Sequence, residues 1–199
     1  MELDIMPEIL LEERLYTAEE YLALEEVAEE KSEFDNGKII PMAGGTYTHN
    51  LISANCIREI SSALIAQKST CVTLSSDMKI NVASQNKYFY ADGSVVCGKP
   101  QFQANRQDII ENPTLIVEVA SDSTELFDRT EKFDWYSTLP SFKEYVLVSQ
   151  KHKHVEVWTF IAENVWEVRI YKKETDKVLL KTIDCEIDLE KIYLSVGFV

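Results

Sequence analysis

Glycine and proline are scarce in this sequence, at 6 and 5 of 199 residues, which excludes collagen-like and low-complexity linker chains. No apolar run approaches the roughly 20 residues that a membrane-spanning helix needs. The N-terminus has no basic stretch before an apolar one, so we expect no secretory signal, no membrane partner and a cytoplasmic location. At 45% apolar and 27% charged residues, the composition predicts one globular domain over residues 1–199.

Basic residues are also few relative to acidic ones, and the net charge is −14. Because nucleic acids attract basic surfaces, this charge argues at first against DNA as a partner. The acids are concentrated, however: residues 1–35 hold 13 acids and two bases, whereas residues 36–199 have a net charge of only −3. We therefore expect a nearly neutral body and a loose acidic segment over residues 1–15, which either aids solubility or repels DNA.

Several site signatures are absent. No two cysteines have CxxC spacing, which argues against a zinc knuckle, and no Gly-x-Ser-x-Gly is present to suggest a serine hydrolase. Cys56 and Cys97 lie in apolar stretches and are predicted to be buried thiols. His152 and His154 are interpreted as exposed strand residues, since a metal site needs several converging ligands.

The pattern of apolar and turn residues predicts a mixed fold. A capping box at Thr17 begins a helix over 17–29, and Asn36-Gly37 between two apolar runs predicts a hairpin. Thr48 is the expected cap of a helix over 49–67. Strands are predicted at 71–75, 78–82, 88–97, 114–120, 144–148, 155–160, 165–171 and 178–183, with a helix at 124–138. This order indicates an α/β (α+β) fold with a mixed central sheet flanked by helices, preceded by the N-terminal helix and hairpin.

Glu118 is the most informative single residue, because it lies inside the apolar run Leu115-Ile-Val-Glu-Val-Ala120. A carboxylate in a central strand is unfavourable unless a charged group meets it. One interpretation is a structural ion pair with Arg129 or Lys132 of the following helix. The other is that Glu118 faces a functional site and binds a divalent cation. The position alone leaves both open.

Asp92 and Lys132 are the next candidates, and each also has a structural alternative. Asp92 precedes Gly93 in an aromatic and β-branched run, so it could form an Asx turn at a strand break. Lys132 follows Asp128 by four residues, which is the spacing of a surface salt bridge on a helix.

Considered together, the three residues indicate metal-assisted phosphodiester hydrolysis. The carboxylates of Asp92 and Glu118, with the backbone carbonyl of Val119, could hold Mg²⁺ or Mn²⁺ through oxygen ligands. A nearby Lys132 could polarise the attacking water and neutralise charge in the transition state.

The sequence resembles the restriction-endonuclease-like family called Uma-two over about residues 14–198. The matching stretches are Tyr16-Thr-Ala-Glu-Glu-Tyr-Leu22, Glu33-Phe-Asp-Asn-Gly-Lys-Ile39, Met42-Ala-Gly-Gly-Thr-Tyr-Thr-His-Asn50, Tyr88-Phe-Tyr-Ala-Asp92, residues 112–124, Asp128-Arg-Thr-Glu-Lys-Phe133, Tyr136 and residues 140–148. The resemblance implies the PD-(D/E)xK nuclease fold, with Asp92 and Glu118 as the motif acids. It also implies that Lys132 replaces the lysine missing at Ala120, and that Glu33 is a further acid at the site.

The resemblance has departures. Ala91 stands where the family usually has proline, Gly93 where it has a β-branched residue, and Asp122 adds a negative charge after the motif glutamate. His49 falls in a family-like motif without an assigned role, and a helix-start cap is its structural alternative. The leading hypothesis is a Mg²⁺-dependent (or Mn²⁺-dependent) endonuclease acting on DNA. The alternative is a catalytically silent protein of the same fold that serves in binding or assembly, for example as a homodimer.

Overall fold

A computed structural model describes residues 14–121 and 124–198 of the chain. The predicted loose segment therefore lies almost wholly outside the described residues, as does Asp122. The helices are α1 (Ala18–Glu25), α2 (Tyr47–Ala66), α3 (Glu125–Phe127), α4 (Phe133–Ser137) and α5 (Leu189–Ile192), and a π-helical segment, Asp128–Lys132, joins α3 to α4. Residues 125–137 are called the π-containing helix below.

Thirteen strands are assigned within the described residues. They are β1 (Ser32–Asp35), β2 (Lys38–Pro41), β3 (Val72–Ser75), β4 (Lys79–Val82), β5 (Lys87–Tyr90), β6 (Gly93–Val96), β7 (Ile109–Ile110), β8 (Leu115–Ala120), β9 (Glu144–Ser149), β10 (Val155–Ala162), β11 (Val165–Tyr171), β12 (Lys177–Leu180) and β13 (Cys185–Asp188).

These strands form a six-stranded sheet in the order β11-β10-β9-β8-β6-β3, a five-stranded sheet in the order β2-β1-β5-β4-β7, and the pair β12-β13. Strands β8 and β9 run parallel, as do β4 and β7, and the other pairs are antiparallel. The predicted mixed α+β class is confirmed, and β8 lies in the interior of the larger sheet, as its continuous apolar run indicated.

The six-stranded sheet separates two apolar cores. On one face α2, β12, β13 and α5 cover the side chains of Leu115, Val117 and Val119. On the other face the π-containing helix and the five-stranded sheet cover Ile116 and Ala120. Because side chains alternate along a strand, Glu118 belongs to the second face. The buried carboxylate therefore points toward the helix that carries Lys132.

The N-terminal predictions are largely confirmed. Thr17 and Glu20 form the expected capping box, although α1 ends at Glu25 and not at residue 29. Asn36 and Gly37 have φ angles of 44° and 100°, as a type I′ hairpin turn requires. The predicted cap of α2 is wrong: the side chain of Thr46, two residues before Thr48, accepts the backbone N–H of His49 at 3.1 Å.

The strand predicted over 88–97 is two strands in different sheets. Strand β5 belongs to the five-stranded sheet and β6 to the six-stranded one, and the chain passes between them at Ala91 and Asp92. Strand β13 and helix α5 were not predicted, because each is only four residues long and has little periodicity.

The prediction of buried thiols is right for Cys56 and wrong for Cys97. Cys97 forms a disulfide with Cys71, whereas Cys56 is free and buried. The register that pairs Val72 with Val96 places the two bonded cysteines opposite each other, one residue beyond the ends of β3 and β6. Sequence separation conceals this pairing, because only the strand register brings the two thiols together.

In the part of the chain that the structure describes, no helix has the length and apolar character to cross a lipid bilayer.

Candidate active site

Glu118 and Lys132 contact each other in the buried centre of the candidate site. The Lys132 Nζ lies 2.9 Å from Glu118 Oε1, and the two side chains are only 8% and 5% exposed. Tyr136, one helical turn beyond Lys132, donates its hydroxyl to the same Oε1 at 3.1 Å. Of the two partners considered for Glu118, Lys132 is therefore the correct one, because Arg129 instead pairs with Glu156.

The π-containing helix presents three polar side chains toward the sheet. Asp128, Lys132 and Tyr136 recur every four residues, and all three are buried. Asp128 Oδ1 lies 4.0 Å from the Lys132 Nζ, and the hydroxyl of Tyr145 donates to the Asp128 carbonyl at 2.9 Å. The Asp128–Lys132 spacing therefore does not make a surface salt bridge here. Single π-helical turns inside α-helices occur often at functional sites, and this one carries the lysine.

Glu33 reaches the same lysine from the N-terminal hairpin. Its Oε1 lies 3.7 Å from the Lys132 Nζ and accepts the backbone N–H of Tyr90 at 3.3 Å. The hairpin, whose β1 pairs with β5, therefore brings a second carboxylate to Lys132 on the side opposite the six-stranded sheet.

Asp92 lies at the crossing between the two sheets, beside the end of β8. Its Oδ2 accepts the backbone N–H of Val119 at 2.7 Å, so the carboxylate is held next to Glu118. The Ser53 hydroxyl donates to the Asp92 carbonyl at 3.1 Å. The hydrogen bond to Val119 joins Asp92 to the neighbouring strand β8, which an Asx turn with Gly93 alone would not explain.

His49 contacts the other side of the Asp92 carboxylate. Its Nε2 lies 3.2 Å from Asp92 Oδ2, and this hydrogen bond raises the pKa of the imidazole. The structural alternative of a helix cap is wrong, because Thr46 caps α2. Among the described residues, Nδ1 of His49 is buried and has no hydrogen-bond partner. The His49 ring is therefore held through Nε2, and it orients the Asp92 carboxylate from the α2 side.

The electrostatics of the site follow from an excess of acids. Burial raises the pKa of Glu118 to about 8 even though Lys132 opposes that shift, and burial also raises the pKa of Asp128. Although burial opposes it, the surrounding carboxylates, Glu118 first among them, hold the pKa of Lys132 well above its usual value. One ammonium cannot neutralise four nearby carboxylates, so the site favours either retained protons or an added cation.

The donor chemistry suits a hard divalent cation. Carboxylate and carbonyl oxygens are the ligands of Mg²⁺ and Mn²⁺. Asp92 Oδ2 bonds the backbone N–H of Val119, the residue that follows Glu118 on β8. Within the described residues, no group of three or more His, Cys, Asp and Glu side chains is arranged as a metal cage. Mg²⁺ commonly uses one or two carboxylates and completes its shell with water and substrate phosphate, so two acids satisfy that pattern.

A second buried lysine lies beyond Glu33, outside this site. The Lys79 Nζ is 3.9 Å from Glu25 Oε1 and lies over the rings of Tyr21 and Tyr90, at 4.9 and 5.3 Å from their centres. Tyr90 also donates its hydroxyl to Glu25 at 2.8 Å. These contacts are between protein groups and fasten α1 to the five-stranded sheet.

The sequence predictions missed Tyr136 and Asp128 as site residues. Each of them lies four residues from Lys132 in the same helix. Because residues with this spacing share a helix face, the spacing could have indicated that they lie at the site with Lys132. His152 and His154 do not converge on a metal site: the rings touch edge to face, and His154 Nε2 bonds Glu156 at 2.9 Å.

Comparison with known proteins identifies the family of this chain. The family described as "Uma2: Putative restriction endonuclease" matches residues 18–190. Two proteins of Synechocystis sp. are similar: "Uncharacterized protein sll1609" is 38% identical over 77% of this chain and 85% of its own length, and "Uncharacterized protein slr1290" is 33% identical over 90% and 92%.

Among solved structures, the fold is similar to that of "a putative nuclease belonging to DUF820 from Anabaena variabilis". The TM-score is 0.71 at 17% identity, over 89% of this chain and 97% of that one. At this identity the likeness shows the fold alone. The family match, which covers most of the chain, and the two relatives above 30% identity show that this chain belongs to the Uma2 family.

Proposed function

We propose that the protein is a metal-dependent endonuclease that hydrolyses DNA phosphodiester bonds in the cytoplasm. The observation that carries this proposal is the buried Lys132 ammonium, 2.9 Å from Glu118 and 3.7 Å from Glu33, beside an Asp92 that is hydrogen-bonded to the same strand end. Membership of the family described as "Putative restriction endonuclease" supports the assignment.

The residues divide the chemistry among them. Asp92 and Glu118, with the Val119 carbonyl, would hold Mg²⁺ or Mn²⁺, which when bound polarises a phosphoryl oxygen and lowers the pKa of water. Lys132 remains protonated because its pKa is raised, so its ammonium can stabilise the charge that develops on the phosphate. Tyr136 keeps the Glu118 carboxylate in place, and Glu33 keeps Lys132 in the site.

A basic turn next to the site is the proposed contact for DNA. Residues 150–154 connect β9 to β10, and Gln150 donates its backbone N–H to the Ala120 carbonyl at 3.3 Å. The Thr46 hydroxyl also donates to the Gln150 side chain at 3.1 Å. Exposed Lys151 and His152 therefore lie close to the end of β8, where phosphates flanking the cleaved bond would pass.

The second candidate function is a silent nuclease fold used in binding or assembly. The observation that favours it is the closure of the site: Lys132 and Glu118 are each less than one tenth exposed and bond each other. The net charge of −14 also opposes DNA binding. A homodimer would suit either function.

Cleavage of plasmid DNA tests the proposal. Wild-type protein should nick or cut with Mg²⁺ or Mn²⁺ and not with EDTA. Lys132→Met should reduce the turnover number by about 10²–10³-fold, because its ammonium acts on charge that grows in the transition state. Lys87→Met is the matched control, because Lys87 is also buried and paired with a carboxylate, that of Asp35, outside the site.

Metal binding is measured separately by thermal melting. Saturating Mg²⁺ at about 100 times its dissociation constant should stabilise wild type by about 2.7 kcal/mol. Glu118→Gln and Asp92→Asn should lose this shift, whereas Lys132→Met and Glu144→Gln, a fully buried carboxylate outside the site, should keep it. Metal binding without cleavage of double-stranded, single-stranded or branched DNA would reject the endonuclease and favour the silent fold.

A further inference from the structure

Strand β11 is the outer strand of the six-stranded sheet. It pairs with β10 on one side, and no strand within the described ranges pairs with its other side. Val165, Val168 and Ile170 are 50%, 44% and 53% exposed, which is high for apolar residues in a strand. Edge strands of this kind offer unpaired backbone groups to another strand, and natural proteins usually protect them with lysine, proline or a bulge. Among its seven residues, β11 has neither lysine nor proline, and the bulge in its pairing with β10 lies at its first residue, Val165.

The sequence of β11 is complementary to itself when two copies are aligned antiparallel about Val168. Glu167 precedes Val168 and Arg169 follows it, while Trp166 and Ile170 occupy the next positions on either side. If two copies lie antiparallel with Val168 opposite itself, each Glu167 faces Arg169 of the other copy. Opposite charges directly across a strand pair are stabilising, and this alignment makes two such pairs.

The same alignment matches the apolar side chains. On the face of the sheet opposite to the charged residues, Trp166 of each copy faces Ile170 of the other copy. The two Val168 side chains face each other between these pairs. Parallel pairing of the same edge about a two-fold axis would send directly opposite side chains to opposite faces of the sheet, which a regular ladder does not allow. The antiparallel orientation is therefore the one that a symmetric pair of β11 edges can adopt, and the charge pattern suits it.

The charged residues are available for this exchange. Glu167 and Arg169 are each 39% exposed and contact each other within the chain, with Arg169 Nε 3.3 Å from Glu167 Oε2. Residues two apart along a strand have their Cβ atoms about 6.5 Å apart, whereas directly opposite residues approach to about 4.5–5.5 Å. Glu167 also bonds Lys181 within the chain. Pairing between copies therefore adds directly opposite charged partners to contacts that already exist within each chain.

We propose that two copies of this chain associate through antiparallel pairing of their β11 edges, centred on Val168, to form one continuous sheet across a homodimer. This arrangement does not depend on the proposed nuclease activity. Because the two-fold axis of such a pair is perpendicular to the plane of the sheet, both candidate active sites would lie on the same face of the joined sheet.

Charge reversal tests the pairing. Sedimentation velocity over a concentration series should show a wild-type dimer, and Glu167→Lys or Arg169→Glu should each raise the dissociation constant at least about tenfold, since each creates two like-charge pairs. The combined variant Glu167→Arg with Arg169→Glu should restore the wild-type value. The double variant and its parent are both made with Lys181→Gln, because Lys181 bonds Glu167 within one chain and would repel an arginine at position 167.

Site-specific cross-linking gives an independent measurement. Val168→Cys should be joined to its own copy by a short bis-maleimide, because the two thiols face each other at the centre of the pairing. Val165→Cys is equally exposed, but its two copies would lie roughly 20 Å apart and should not be joined. A monomeric wild type at all concentrations, equal cross-linking of both variants, or failure of the double charge swap to restore the dimer would overturn the proposal.

Discussion

Among the site residues, Glu118 is an acid whose ionisation is strongly altered. Burial in the centre of the sheet raises its pKa to about 8, and the Asp92 and Asp128 carboxylates add to that effect. Lys132 opposes it, at 2.9 Å, but also faces Glu33 and Asp128. Without a cation, the folded protein therefore retains a proton on Glu118 at pH values where an unfolded chain has lost it.

This difference predicts a pH dependence of stability. An acid whose pKa rises from 4.5 to about 8 on folding stabilises the fold below pH 4.5, and the contribution is lost as the pH rises toward 8. Between pH 5 and 8, metal-free wild type should lose at least about 3 °C more in melting temperature than Glu118→Gln, which corresponds to about 1 kcal/mol. Glu190→Gln, an exposed carboxylate, should behave as wild type. Equal slopes in all three proteins would contradict the raised pKa.

The sequence could identify most of the candidate site at this scale. Glu118 was recognisable because a carboxylate inside a buried strand requires a partner, and the family resemblance assigned Asp92, Lys132 and Glu33. The resemblance could not assign His49, because its contact with Asp92 joins the start of α2 to a crossing between sheets 43 residues later. Contacts between distant segments of this kind leave no local periodicity.

At the scale of elements, the approach of α2 to β6 is unusually close. A Cβ added to Gly93 would lie 3.2 Å from Cγ1 of Ile57 on α2 and 3.7 Å from Cβ of Val117 on β8. Gly93 is the position after Asp92, where related sequences are expected to carry a β-branched residue. The glycine therefore permits α2, with His49 at its first turn, to lie against the strand that follows Asp92.

This packing predicts the effect of restoring a larger residue. Gly93→Val should destabilise the protein by about 1–3 kcal/mol, because Ile57 must move to admit the added methyl groups. Adding Ile57→Ala should recover part of that loss, which would give a favourable interaction energy in a double-mutant cycle measured by chemical denaturation. Strictly additive effects would show that Ile57 does not set the spacing.

The elements themselves were predictable where periodicity is strong. The hairpin followed from Asn36-Gly37 and the central strand from the run that contains Glu118. The region 88–97 was predicted as one strand because its alternation continues through Ala91 and Asp92, although the chain changes sheets there. The π-helical segment was likewise hidden, because the four-residue spacing of Asp128, Lys132 and Tyr136 is also the spacing of one face of an α-helix.

For the whole molecule, the distribution of charge decides how the site meets a polyanion. Residues 1–13 carry five acids and no base, and they lie outside the described residues, whereas the basic turn at 150–154 adjoins the end of β8. The net charge of −14 repels DNA at long range, and the local turn attracts it at short range. Salt screens the long-range repulsion, because the Debye length is about 10 Å in 0.1 M salt.

Removal of residues 1–13 should therefore strengthen DNA binding at low salt. The truncation changes the net charge from −14 to −9, and the gain in affinity should shrink as ionic strength rises, since the repulsion is long-range. A full-length variant with Glu2, Asp4, Glu8, Glu12 and Glu13 changed to their amides removes the same charge without shortening the chain. If fluorescence anisotropy with a labelled duplex shows the gain in both proteins, charge is the cause. A gain in the truncated protein alone would contradict repulsion, because the five acids would then act through their bulk and not through their charge.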